Sequence, residues 1–148
     1  ATDSLYGSRE MVSQLQGDDA LSQVRALINV DMIGDCDLGV FEDPDAPEWL
    51  RKAVWTTAGE LGHGKAFLSW GTKIQDDHIP FRRAGVDALN LIDFNYGGGT
   101  LAHEENWHTV NDRLDKVCAE SLQVMGDVLY HSLPKLDARF LVETGKED

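Results

Sequence analysis

Asp31 closes a mostly apolar run, Arg25-Ala26-Leu27-Ile28-Asn29-Val30-Asp31-Met32-Ile33-Gly34. Burying a lone carboxylate costs several kcal/mol unless a metal, a cation or good hydrogen bonds compensate. Ligands in open α/β sheets gather at the carboxyl ends of strands, so Asp31 is either a functional carboxylate or a turn-forming one. Further on, Asp76-Asp77-His78 sets two carboxylates and an imidazole side by side. That triplet suits a hydrogen-bonded acid network beside a metal or a shared proton. It equally suits a helix N-cap, with Asp77 capping ahead of Pro80 while Asp76 faces the site. His108 follows Trp107 between a glycine-rich loop and an acidic segment, where a neutral imidazole could ligate zinc or serve structurally. Nearby His103-Glu104-Glu105 reads equally as metal donors or as a solvated acidic loop. There is no Gly-x-Ser-x-Gly elbow, no Gly-x-Gly-x-x-Gly after a strand and no phosphate loop.

The elements that must position these residues follow from the apolar periodicity. Leu5, Ser8, Val12 and Leu15 share a face of a first helix that Gly17 ends. The run from Arg25 to Gly34 reads as a buried strand of a parallel or mixed sheet. Pro44 and Pro47 introduce a second helix on which Leu50, Ala53, Val54, Thr57, Ala58 and Leu61 make an apolar stripe up to Gly62. A short strand is expected at Ala66-Phe67-Leu68-Ser69, a capped helical turn from Asp77 to Gly85, and another strand from Val86 to Phe94. Gly97-Gly98-Gly99 opens a loop, and a last helix from about Glu120 to Leu133 should turn Leu122, Met125, Leu129 and Leu133 inward. The alternation predicts an α/β class.

Composition narrows the function classes. The 148 residues hold 13 Lys+Arg against 26 Asp+Glu, a net charge of −13 that argues against a nucleic-acid surface. A hydrophobic fraction of 42% is enough for a single core, so the chain reads as one domain or part of one, and no stretch is apolar enough for a membrane span. Cys36 and Cys118 cannot make a disulfide framework and lack the spacing of a thiolate zinc site, which leaves the redox compartment open. No targeting segment is readable at Ala1.

Four segments taken in order resemble the zinc aminopeptidase and glutaminyl cyclase superfamily, metallopeptidase family twenty-eight. They are Asp3-Ser4-Leu5-Tyr6-Gly7-Ser8-Arg9, Asn29-Val30-Asp31-Met32-Ile33-Gly34, Ile74-Gln75-Asp76-Asp77-His78-Ile79-Pro80-Phe81, and Trp107-His108-Thr109 with Asp112. The first and third are more similar to the cyclase branch. The resemblance implies the C-terminal portion of a three-layer α/β/α zinc-exopeptidase fold. It implies that His108 ligates zinc, that Trp107, Gln75 and Ile74 wall the substrate pocket, and that Asp31 and Asp76 share hydrogen bonds with the catalytic glutamate and manage its proton. In two-metal aminopeptidases the residue matching Asp31 is itself a zinc ligand.

In the family the catalytic Glu and the adjacent zinc-binding Glu lie just before the segment matched by Asp3 to Arg9. Residues 1–148 are therefore expected to be the C-terminal half of one catalytic domain, the Glu-Glu half lying upstream of residue 1. By this reading the chain alone is inactive, binds zinc weakly, and needs a companion N-terminal segment or self-association to cover a sheet edge. The complete enzyme would act on peptide N-termini. As a cyclase it would turn an N-terminal glutamine into pyroglutamate with release of ammonia, and as an aminopeptidase it would hydrolyse the first peptide bond. A non-catalytic acidic interaction module is the reading from a different class. The resemblance also implies a secreted or periplasmic protein.

Overall fold

The computed structural model describes residues 4–96 and 106–144. The element order is α1 (Tyr6–Gly17), β1 (Leu27–Asp31), α2 (Glu48–Glu60), α3 (His78–Arg83), β2 (Ala88–Ile92) and α4 (Ala119–Thr144). The Gly97 to Gly99 loop and the His103-Glu104-Glu105 group lie outside the described residues.

β1 and β2 run parallel in register, Leu27 beside Ala88 and Asp31 beside Ile92. Successive side chains of a strand point to opposite faces, and the packing follows that alternation. Leu89 and Leu91 enter a core with Leu50, Val54 and Ala58 of α2 and Met125, Val128 and Leu136 of α4. Leu27 packs on the other side against Val12 of α1, Phe81 of α3 and Val86. Helices thus lie on both faces of the sheet, the α/β layering expected from the sequence.

α2 forms as its stripe predicts, with Leu50, Val54, Thr57 and Ala58 buried, and Gly62 stops the segment with φ +82°. Three expectations need correction. The strand at 66–69 shrinks to one bridge, Phe67 beside Val40, because a 3-10 turn over Gly64–Ala66 takes up the preceding residues. α4 is longer and rotated: Leu122 and Leu133 are exposed, while Ser121, Met125, Val128, Ser132 and Leu136 face inward. Its two buried serines accept an apolar setting because Ser132 Oγ donates to Val128 O, 2.7 Å, and Ser121 Oγ to Asp35 O. Finally, β1 is only half-buried with Val30 exposed, because among the described elements its close backbone neighbours are β2 and α3 alone, whereas β2 is also covered by α2.

Cys36 and Cys118 form a disulfide, Cα–Cα 5.0 Å, joining the loop after β1 to the entrance of α4. Beside it the Cys118 N–H donates to Gly34 O at 2.8 Å. A Cβ at position 34 would stand 2.9 Å from Tyr96 Oη and 3.0 Å from Val117 Cγ1, so any larger residue there would make those side chains shift. No helix among the described residues is long and apolar enough to cross a membrane.

Candidate active site

Asp31 ends β1 and Met32 turns the chain with φ +51°, a left-handed conformation that a non-glycine residue adopts at a cost of about 1–3 kcal/mol. His108, φ +57°, is held in the same uncommon way. Such strain persists where surrounding structure fixes it, and His108 borders one cavity together with Asp31, the residue before Met32. That cavity, of about 210 Å³, is lined by Asp31, Ile74, Gln75, Asp76, Trp107 and His108, together with Ser4, Leu5, Asp77, Ile92 and Phe94. All six residues to which the family resemblance assigns a role, Asp31, Ile74, Gln75, Asp76, Trp107 and His108, therefore lie on its wall.

Trp107 and His108 stack, ring centroids 4.1 Å apart and planes 20° apart, and Phe94 meets Trp107 edge-on at 6.0 Å. Three aromatic rings in series make an aromatic wall. Opposite chemistry comes from the aspartates. The Asp31 Oδ1 accepts from the Met32 N–H at 2.9 Å. Burial, then repulsion from Asp76 and Asp77, pushes its carboxyl above the usual range, against the opposing pull of that N–H and of His108. Asp76 is held from two sides: Oδ1 accepts from the Asp77 N–H at 2.7 Å and Oδ2 from Asn29 Nδ2 at 2.8 Å. No Lys or Arg is among the described lining residues, so the cavity is acidic and suits a cationic guest.

Asp77 precedes α3 as an N-cap should, yet its carboxylate caps nothing on that helix. It accepts instead from Ser8 Oγ at 2.6 Å and so fastens α1 to the loop that carries Asp76. His78 leaves the cavity altogether. Buried at 2% exposure, it lies with Nε2 3.9 Å from Asp43 Oδ2, and burial and the adjacent Arg82 guanidinium lower its pKa. Sequence reasoning missed Asn29, Asn90 and Phe94. Asn29 had a readable signal: two residues before Asp31 on one strand, it shares that side chain's face.

Among the described residues no three His, Cys, Asp or Glu side chains come together to hold a metal ion. His108 and Asp31 are fitting donor types on one wall, but a catalytic zinc needs three protein ligands, so they form an incomplete set.

The sequence profile described as Peptidase family M28 matches residues 3–133. The chain belongs to peptidase family M28. It is 31% identical over 145 residues to the glutaminyl-peptide cyclotransferase of Bos taurus, covering 81% of this chain and 38% of that protein. The solved glutaminyl cyclase of an Acidobacteriales bacterium superposes with TM-score 0.86 at 36% identity, over 94% of this chain and 48% of that one. A zinc aminopeptidase from Bacillus subtilis superposes with TM-score 0.65 at 26% identity, over 87% of this chain and 32% of that one. The chain thus spans less than half the length of each of these relatives, and the family resemblance and α/β fold read from the sequence are correct.

Proposed function

We propose that this chain supplies the C-terminal half of a zinc-dependent enzyme acting on peptide N-termini, with cyclisation of an N-terminal glutamine to pyroglutamate as its reaction. The observation that carries the reading is the convergence of Asp31, Ile74, Gln75, Asp76, Trp107 and His108 on one acidic, aromatic-walled cavity. The likeness to two glutaminyl cyclases supports the choice of reaction.

On this reading the aspartates attract the cationic peptide N-terminus, while Trp107, Ile74 and Gln75 hold the glutamine side chain against the aromatic wall. In the reaction the α-nitrogen bonds to the side-chain amide carbon, that carbon's bond to nitrogen breaks, and ammonia departs with the proton the amine gave up. Asp31 and Asp76 manage that proton through a glutamate supplied from outside this chain, and the raised pKa of Asp31 suits it to hold one. His108 would be one zinc ligand, with Asp31 a second if two ions bind. The metal, when bound, polarises the amide carbonyl. The remaining ligands come from the segment that precedes Asp3 in this family, and the open edge of β1 is where that segment, or a second copy, would pair. The Cys36–Cys118 disulfide favours an oxidising compartment, secreted or periplasmic. Likeness to a zinc aminopeptidase favours a second reading on the same site, in which water cuts the first peptide bond.

Elemental analysis of this chain and of one extended upstream, each with a His108→Ala control, tests the reading. Zinc held only by the extended form and lost with His108, followed by ammonia release from a glutaminyl peptide, is the expected result. One tightly held zinc in the 148-residue chain overturns the incomplete-set argument, release of a free amino acid selects the aminopeptidase, and no zinc with no turnover in the extended form leaves a non-catalytic module.

A further inference from the structure

Two carboxamides face each other across the sheet beneath the cavity. Asn29 and Asn90 are register partners on β1 and β2, and Asn29 Nδ2 donates to both Asp76 Oδ2, 2.8 Å, and Asn90 Oδ1, 2.9 Å. A carboxylate oxygen only accepts, so Asn29 must turn its NH2 group towards Asp76. Asn90 must then present its oxygen to Asn29, and its own NH2 group is left pointing elsewhere. Asn90 is 2% exposed in a strand whose other members are apolar, and its Nδ2 has no hydrogen-bond partner among the described residues. The buried His78 Nδ1 is in the same position. Asn90 and His78 both line a separate cavity of about 10 Å³ with Asp43 and Ile74, which is room for one water.

Burying polar groups in a small core costs free energy that two leucines would not, so the arrangement calls for a reason beyond packing. We propose that Asn29 is a positioning residue for Asp76, that Asn90 fixes the Asn29 amide, and that one water buried between Asn90 and His78 anchors the chain. Asn29 and the Asp77 N–H together fix both oxygens of Asp76, so the carboxylate has one orientation towards the cavity. His78 in turn is set by its place beside Asp43, whose Oδ2 also takes the Arg82 guanidinium at 2.6 Å and the Asn90 N–H at 3.1 Å. The relay thus runs from an ion pair at the base of α3 to a site carboxylate, through residues that never touch substrate.

The role rests on the proposed enzymatic reading, while the geometry does not, and the test separates them. In the complete enzyme carrying this chain, Asn29→Leu and Asn90→Leu should each lower kcat by about 10–100-fold, leaving KM within about twofold. Because both act through Asp76, the double variant should be no worse than the poorer single one. A merely structural pair would leave kcat per folded molecule unchanged or give losses that multiply, and either result overturns the relay while the enzymatic reading stands. If the wild type turns over neither glutaminyl nor other peptides, the enzymatic reading fails and crystal structures decide: loss of the Asp76 orientation in Asn29→Leu supports the relay, and its retention overturns it. High-resolution density should hold one water within hydrogen-bond reach of His78 Nδ1 and Asn90 Nδ2, and a dry cavity overturns the anchor. Should the leucine variants not fold, hydrogen exchange of wild-type side-chain amides decides. Asn29 protons exchanging at least ~10-fold more slowly than exposed amides support the relay, and solvent-like rates overturn it.

Discussion

β1 and β2 have the same length, the same direction and a one-to-one register, yet they live in different environments. All five residues of β2 are buried, whereas β1 has four half-buried positions and an exposed Val30. The difference is a matter of neighbours: β2 lies under α2 and α3, and on its edge away from β1 the Phe41 N–H donates to Ile92 O at 2.8 Å, whereas among the described elements β1 has α3 and β2 alone as close backbone neighbours. Asp31, which lines the cavity, sits on the poorly covered strand and Asn90 on the well-covered one. Stability in this chain is therefore concentrated away from the cavity, with Asn29 and Asn90 as the bridge between the two.

Val30 and Leu91 are register partners and make the sharpest probe of that contrast. Leu91 is fully buried among α2 and α4 side chains, so Leu91→Ala should cost about 2–5 kcal/mol, the range for a core truncation that leaves a cavity. Val30→Ala on the exposed side should cost less than about 1 kcal/mol. Urea denaturation of both variants measures the gap. In the extended enzyme the upstream segment should cover β1, and the Val30→Ala cost should then rise towards core values. An unchanged cost there would break the proposal that this edge receives a partner strand.

The disulfide ranks next. It closes 82 residues between the loop after β1 and the start of α4, so it constrains the unfolded chain strongly. A Cys36→Ser/Cys118→Ser double variant should lose about 2–4 kcal/mol by denaturant titration. The loss should also loosen Gly34 and Val117 against Tyr96, because the Cys118 N–H to Gly34 O bond lies alongside.

The same contrast explains what was legible in the sequence. Residues whose chemistry is local read well: α2 from its stripe, the turn at Gly62, and the three motif segments that carry Asp31, Asp76, Trp107 and His108. What could not be read depended on partners distant in sequence. The rotation of α4 was hidden because Ser121 and Ser132 look polar, while in the fold each spends its hydroxyl on a backbone carbonyl and packs inward. Pro134 stands inside α4 without ending it because it lies on the exposed face, where water can serve the carbonyl left unpaired. Asp77 reads as a cap in isolation, but Ser8, 69 positions away, claims its carboxylate. Nothing local announced that Asn90 would meet Asn29, since the pairing exists only once the strands are in register.

Asp93 supplies the smallest effect and the one whose direction is easiest to get wrong. It follows β2 and is 1% exposed, with Oδ2 accepting from the Gly39 N–H at 2.8 Å and Oδ1 from the Asn95 N–H at 3.1 Å. Burial pushes its carboxyl from 3.8 up to about 6 despite those two donors, with Asp35 and Asp37 adding repulsion. A carboxyl raised in the folded state keeps a proton that the unfolded chain has already released. Between about pH 4 and 6 folded molecules therefore bind more protons, and stability falls as pH rises, by at most ~3 kcal/mol in all. His78 works the other way, because its lowered pKa lets the unfolded chain take up a proton first as pH falls. Asp93→Asn isolates the first contribution. The variant should gain stability relative to wild type at pH 7 and lose that advantage by about pH 4, in denaturation curves taken at both values. An advantage that persists unchanged at pH 4 would mean that the end of β2 tolerates the charge, and that only the cavity on the β1 side holds a carboxyl with a displaced proton affinity.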